Sequence, residues 1–413
     1  MPQGTSCKLQ VTRLILLCSV FSLSTLYSPL STAFGYFSGR GEGLARSYST
    51  LASGFDAVLW NPANLAISPK FSFNIATLGV EYCSNLSPQE YMSLYNKEYF
   101  NDDDKKMFVD GEKLSISGSA QALSISFKDI ALVTYAYTNN KFEIPKDVTD
   151  LLFWGNVDLD RKYSLEDIEG KSETGFIVAI SGARLLEPEG NIALGGTIKY
   201  LHGISYLGVS DSYGSLITTF YSTSRSLIHG QGGLNYKYAQ GGYGVGIDFG
   251  MTYLSENYNI GISVINAFST MTWHKGAEQI EVSFQLDSTD LETFDADTTI
   301  EWDEKTDEGP FITHSEPIIR IGGTLKGKGI LINSELGYPQ LFSVGIEYPA
   351  TVISPRGGIA FVNSRLWVGC GVGLRIIKVL NLDIGMRISS SSHISGAFSL
   401  SVIPENQSNS KKK

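Results

Sequence analysis

From about Phe71 to the C-terminus, apolar and polar residues alternate with a period of two. In Gly244 to Leu254, GVGIDFGMTYL, one face holds Val245, Ile247, Phe249, Met251 and Tyr253; the other holds Gly244, Gly246, Asp248, Gly250 and Thr252. Arg365 to Ile376 sets Leu366, Val368, Cys370, Val372, Leu374 and Ile376 against Arg365, Gly369, Gly371, Gly373 and Arg375, with Trp367 out of pattern. Leu380 to Ser389 opposes Leu382, Ile384, Met386 and Ile388 to Asn381, Asp383, Gly385 and Arg387. A helix cannot gather such a pattern on one side, whereas a strand turns successive side chains to opposite faces. These stretches are strands.

The same reading predicts strands at 71–80, 114–127, 130–138, 174–185, 191–201, 230–239, 257–268, 315–326, 329–338, 341–349, 356–363 and 393–402. Many are about 10 residues long, which a tilted strand needs to cross the hydrocarbon layer, whereas soluble strands average about 5–6. The links Lys128-Asp129, Gly327-Lys328, Pro339-Gln340 and Asn363-Ser364 are short enough to join antiparallel neighbours. In a membrane barrel the polar face looks into the lumen, which assigns Lys199, Asp248, Arg320, Arg365, Arg375, Asp383 and Arg387 to the interior. A charge facing lipid costs roughly 2–4 kcal/mol at the midplane. Confinement of these charges to one face favours a barrel over a soluble sandwich.

Long connections are expected at 81–113, 140–173, 202–229 and 269–314. Ser87-Pro88-Gln89-Glu90 reads as a capping box opening a short helix, and Asp147 to Trp154 and Ser164 to Glu169 read as two more. In barrels, long loops lie on the outer surface. The acidic run in the last connection is read as a solvated surface.

At the N-terminus, Lys8 and Arg13 precede the apolar run Leu14 to Leu26, and Ser31-Thr32-Ala33 ends it with small residues. This is the layout of a secretory signal over 1–33, too short to span a bilayer. After it comes no apolar stretch long enough for a membrane helix. Glycine (43), tyrosine and phenylalanine (21 each) are abundant, as in a barrel whose alternate residues face lipid. A net charge of −10 speaks against a nucleic-acid partner. Cys83 and Cys370 show neither disulfide-framework nor metal spacing.

Gly41 to Ala66, GEGLARSYSTLASGFDAVLWNPANLA, stands apart from the strands. Pro62 fixes its own φ and drives Asn61 into the extended region, where the Asn side chain can hold a tight turn. Leu44, Val58, Leu59, Trp60 and Leu65 give it apolar surface that a linker does not need. The run Gly43-Leu44-Ala45-Arg46-Ser47-Tyr48, then Asp56, Asn61-Pro62-Ala63 and Leu65, resembles the N-terminal signature of the FadL/TodX-type long-chain fatty-acid transporters, and also of related PorV-type barrels that serve protein secretion. The resemblance implies an N-terminal hatch over 34–68 folded into the lumen of a barrel over 69–403, in the cell outer membrane, with a polar tail at 404–413. Gly43, Arg46, Asp56, Asn61, Pro62 and Ala63 are then the hatch motif, with Arg46 and Asp56 held by lumen groups of opposite charge. The strand tally by pattern is odd, whereas single-chain bacterial barrels have even numbers, so about 14 strands are expected. The chain lacks the terminal aromatic on which many such barrels end.

No catalytic constellation emerges. The histidines are scattered, no GxSxG elbow or HExxH occurs, and Gly241 to Gly246 lies within strand alternation without a following helix. No catalytic residue, metal ligand or cofactor is therefore assigned. The leading expectation is a hatch-gated outer-membrane channel for small hydrophobic compounds such as fatty acids or hydrocarbons, with membrane lipid and a hydrophobic ligand as partners. The alternative is a non-transporting or secretion-associated barrel whose long outer loops bind protein partners; a third reading is a secreted soluble β-protein.

Overall fold

In the computed structural model the alternating segments form one closed antiparallel sheet. Its strands are β1 (Phe71–Ser84), β2 (Glu112–Phe127), β3 (Ile130–Ile144), β4 (Lys162–Ser164), β5 (Glu169–Leu185), β6 (Ile192–Ser222), β7 (Arg225–Ala239), β8 (Gly241–Leu254), β9 (Tyr258–Lys275) and β10 (Glu278–Leu286). They continue as β11 (Ile300–Glu308), β12 (Phe311–His314), β13 (Ile318–Lys326), β14 (Leu331–Tyr338), β15 (Leu341–Glu347), β16 (Ile353–Val362), β17 (Arg365–Ile377), β18 (Leu380–Ser389) and β19 (Ile394–Val402). The structure describes residues 36–404 except 96, 98, 109–111, 156–157, 159, 188–189, 223–224, 287–299, 339–340, 364, 378 and 390–392. The expected signal peptide and nearly all of the polar tail lie outside the described residues. Strand β1 pairs with β2 on one side and, from Phe73↔Val402 to Tyr82↔Ile394, with β19 on the other. The barrel is thereby closed.

Several strands are pieces of one wall element. Ala239 of β7 lies opposite Tyr206 and Gly242 of β8 opposite Gly203, so β7 and β8 run on through Gln240 along the same β6. Likewise β9 and β10 pair in succession with β8 and β7. Strands β11, β12 and β13 then return along β10 and β9. Counted this way the barrel has 14 strands, with β4 an accessory strand on the far half of β6. The odd tally arose because 230–239 and 244–254 read as two crossings when they are one.

The expected connections at 202–229 and 269–314 are thus largely strand. β6, β7, β10 and β11 carry the wall onward as a ribbon, and the alternation of Ile280, Val282 and Phe284 is its trace. Ser164 to Glu169 is not helical: Lys162 to Ser164 pairs with β6, and the Ser164 amide donates to Asp147 Oδ2 at 2.9 Å. The other two expected helices form, at Pro88–Tyr95 and Lys146–Phe153. Ser87 and Glu90 cap the first reciprocally, at 3.2 and 2.7 Å. A further short helix, Asp102–Lys106, shares their end of the barrel, while the turns at the Phe71 end are short, such as Lys128-Asp129.

The wall sorts its side chains as the alternation requires. Ile247, Phe249 and Met251 are exposed outside while Asp248 and Thr252, on the alternate positions, are buried inside; Ile319 and Ile321 flank a fully buried Arg320. An apolar exterior around a polar interior inverts the soluble arrangement and matches a lipid-facing barrel. Trp367, out of pattern in the sequence, faces inward with Gly369, and its ring lies 4.4 Å under the Arg387 guanidinium.

Candidate functional site

Residues 36–68 pack against inward-facing side chains on all sides of the barrel. Two local devices shape the segment. Ser38 Oγ accepts from the Gly41 amide at 3.0 Å and caps a one-turn helix, Gly39–Gly43. Asn61 is extended (φ −156°, ψ 101°), its Oδ1 accepts from the Ala63 amide at 3.1 Å, and Pro62 opens the 3-10 turn Pro62–Ile67. Between them, Ala45 and Arg46 adopt left-handed backbone (φ 48° and 68°), which costs an L-residue about 1–2 kcal/mol each. Surrounding contacts must hold that kink.

Those contacts begin with backbone seated on glycine. A Cβ at Gly358 would lie 2.7 Å from the Leu44 carbonyl, and one at Gly369 2.8 Å from the Ala45 amide. Gly43 rests on Gly371 and Gly385. Across the barrel, a Cβ at Gly250 would lie 2.1 Å from Asn61 Oδ1 and one at Gly195 2.4 Å from the Pro62 carbonyl carbon. Inward glycines on β15 to β18 and on β6 and β8 are therefore two seats for one segment.

Charge pairs bind the first seat. Glu42 accepts from Arg387 Nε at 2.7 Å and from Ser395 Oγ at 2.6 Å, and meets Arg46 Nε at 3.1 Å. Glu81 of β1 joins the group through Arg387 and, at 3.8 Å, Arg46. All four charged residues are almost fully buried. Arg40 pairs with Glu347 at 3.0 Å, and Glu347 links onward to Arg356 and Asp383. The middle of the segment is held at Glu335, whose Oε2 accepts from the amides of Tyr48 and Ser49 at 3.1 and 2.8 Å. Arg320 pairs with Glu335 at 3.4 Å and lies 4.4 Å over the Trp60 ring.

The second seat is held mainly by neutral groups. Asn61 Nδ2 donates to Thr252 Oγ1 at 3.0 Å, Thr252 donates to Asn64 Oδ1 at 2.7 Å, and Asn64 Nδ2 ties back to the carbonyls of Ser49 and Ala52. Thr50 and Thr324 share a 2.6 Å hydrogen bond. Lys199 binds Asp248 at 2.7 Å, Asn266 Oδ1 at 2.9 Å and the Tyr36 hydroxyl at 3.1 Å. The segment's start is so fixed to β6.

Of the residues singled out in the sequence, Gly43, Arg46, Asn61, Pro62 and Ala63 lie at the seats, and Lys199, Asp248, Arg320 and Arg387 are buried around them. Asp383 bonds Arg356 instead of the segment, Arg375 reaches Asn381 at 3.4 Å, and Arg365 sits exposed at the rim against His393. Asp56 differs from expectation: its Oδ2 accepts from Tyr48 of the same segment at 2.8 Å, and among the described residues it forms no ion pair with a lumen cation. Arg40, Glu42, Glu81, Glu335 and Glu347 went unnoticed. Glu335 lies on the polar parity of its strand, so the alternation held a signal for it. Among the described residues no group of three or more His, Cys, Asp or Glu side chains converges as a metal site would require.

Among solved structures the chain is similar to a Pseudomonas aeruginosa FadL homologue, with 9% identity, a TM-score of 0.52, and 91% of this chain and 98% of that one covered. It is similar too to a mutant of the TodX monoaromatic hydrocarbon channel, with 10% identity, a TM-score of 0.51, and 90% and 100% covered. At these identities the likeness carries the fold, and the resemblance seen in the N-terminal motif holds at that level. No curated protein matches the sequence. A family profile matches residues 62–311, more than half of the chain, which therefore belongs to the family of unknown function DUF5723.

Proposed function

We propose that this protein is an outer-membrane channel for small hydrophobic compounds, with residues 36–68 as its gate. The observation that carries the reading is the segment itself, seated on inward glycines at two separated places and so lying in the path that any solute would take. The FadL- and TodX-type fold, an apolar outer wall and the secretory N-terminal pattern support the compartment and the class. Aromatic and aliphatic residues packed in the core, including Tyr135, Leu201, Met271, Trp273 and Phe311, would give a solute an apolar lining once the segment moved aside.

No step in such passage needs covalent chemistry. A hydrophobic solute gains by leaving water for the apolar lining, and the gate has to exchange its hydrogen bonds for others as it moves. Uptake of a labelled monoaromatic hydrocarbon and of a long-chain fatty acid into liposomes tests the reading. The full mature protein is expected to admit one class, and deletion of residues 36–68 to raise the rate and blunt the selectivity. Absence of uptake by both forms, each verified as a heat-modifiable barrel, would overturn it. A second reading, a non-transporting scaffold, is favoured by the near-complete burial and pairing of Glu42, Arg46, Glu81 and Arg387. It predicts that absence of uptake.

A further inference from the structure

The outer wall carries a groove where β9, β13 and β14 run side by side. Gly323 sits outward between Ile321 and Leu325, and its ladder partners are Ile260 and Ser334. With no side chain at one position and a short one at the other, the apolar rows part into a depression of about 300 Å³, walled by Tyr258, Ile260, Leu325 and Ile332. A second depression of about 440 Å³ shares Leu325 and Ile332 and continues to Lys326 and Lys328 at the turn. The inward glycines are filled by the segment's backbone, but a Cβ at Gly323 would meet nothing nearer than 3.7 Å. Here the missing side chain leaves room.

The groove is walled by Ile260, Leu325 and Ile332, with Ser334 at its floor, and is cationic at one end. Lys326 donates to the Ser255 carbonyl at 3.0 Å, and among the described residues neither lysine is held in an ion pair; Glu256 is the acid of the adjoining turn. Tyr258 stacks on Tyr253 with centroids 6.0 Å apart, and Tyr348 approaches the Gly329 turn. Tyrosines at a common level mark the boundary between hydrocarbon and headgroups, where a lysine carries its charge to water or phosphate.

We propose that this groove binds a phospholipid of the leaflet at the Phe71 end, one acyl chain lying over Gly323 and the phosphate between Lys326 and Lys328. The proposal rests on the membrane-barrel reading and extends it to a lipid partner at a defined place. Native mass spectrometry of the intact protein in mild detergent tests it, by titration with phosphatidylglycerol and with diacylglycerol of the same chains. The wild type is expected to retain one phosphatidylglycerol in preference to diacylglycerol. Gly323→Phe should lower retention of both about tenfold, the effect of displacing roughly two methylenes from the groove. Lys326→Gln with Lys328→Gln should bring phosphatidylglycerol down to the level of diacylglycerol. Equal retention of the two lipids by the wild type, or undiminished retention by Gly323→Phe, overturns the proposal; the lysine variant decides the matter if Gly323→Phe fails to assemble. Heat-modifiable migration is checked in each form, and a wild-type chain that stays dispersed without detergent would instead overturn the membrane reading itself.

Discussion

Glu42 is gripped by donors from three places in the chain: Arg46 four residues on, Arg387 on β18 and Ser395 on β19. Removing one partner of such a buried group leaves an uncompensated charge, which costs about 3–5 kcal/mol. Arg387→Met, which leaves Glu42 and Glu81 with Arg46 as their one shared cation and so one buried charge uncompensated, is therefore expected to lower the unfolding midpoint in detergent sharply, whereas Arg365→Met at the rim should hardly move it. Gly250→Val tests the neutral seat. Its side chain would invade Asn61, an overpacking of roughly 1–3 kcal/mol, and the N-terminal segment should become open to protease while the barrel persists. An unchanged cleavage pattern would mean that the seat does not hold the segment. Individual charges on the polar parity were legible in the sequence, but their partners were not. Pairing depends on which strands face each other across the lumen, and Glu42 with Arg387 is a contact over 345 positions.

At the scale of elements, the period of two was enough to find the wall, because a lipid-facing strand has one apolar face along its whole length. It failed at Gln240, where paired glycines at 241 and 242 resemble a turn and yet continue the strand with a one-residue register shift against β9. It failed also at Ser164 to Glu169, where polar residues compatible with a helix are committed to β6 and to the neighbouring helix. The helix Lys146–Phe153 ties this loop through a titratable group. The Ser164 amide, followed by Arg161, holds the Asp147 carboxylate below its usual value. A lowered folded-state value stabilises the loop above the unfolded value and is lost as pH falls through the folded one. Protection of the Ser164 amide against hydrogen exchange should accordingly hold down through the ordinary aspartate range and weaken, relative to neighbouring wall amides, only as pH falls below it, and Asp147→Asn should remove the dependence. A flat profile in the wild type would contradict the bond.

For the whole molecule, 14 strands close a barrel with residues of the N-terminal segment seated against its inward glycines, and those glycines are where sequence and architecture meet. On paper those glycines look like weak strand residues; in the fold they are the space that the segment's backbone needs. In the proposed function this segment must move for a solute to pass. Thr50 and Thr324 are in side-chain contact between segment and wall, so cysteines placed at both, with Cys83 and Cys370 replaced by serine, can lock the two together. Tracer uptake by liposomes holding this variant is the direct measurement. The oxidised protein should be closed and the reduced protein open at the wild-type rate; equal uptake in the two states, or none in either while the barrel is intact, would contradict a gating role for the segment.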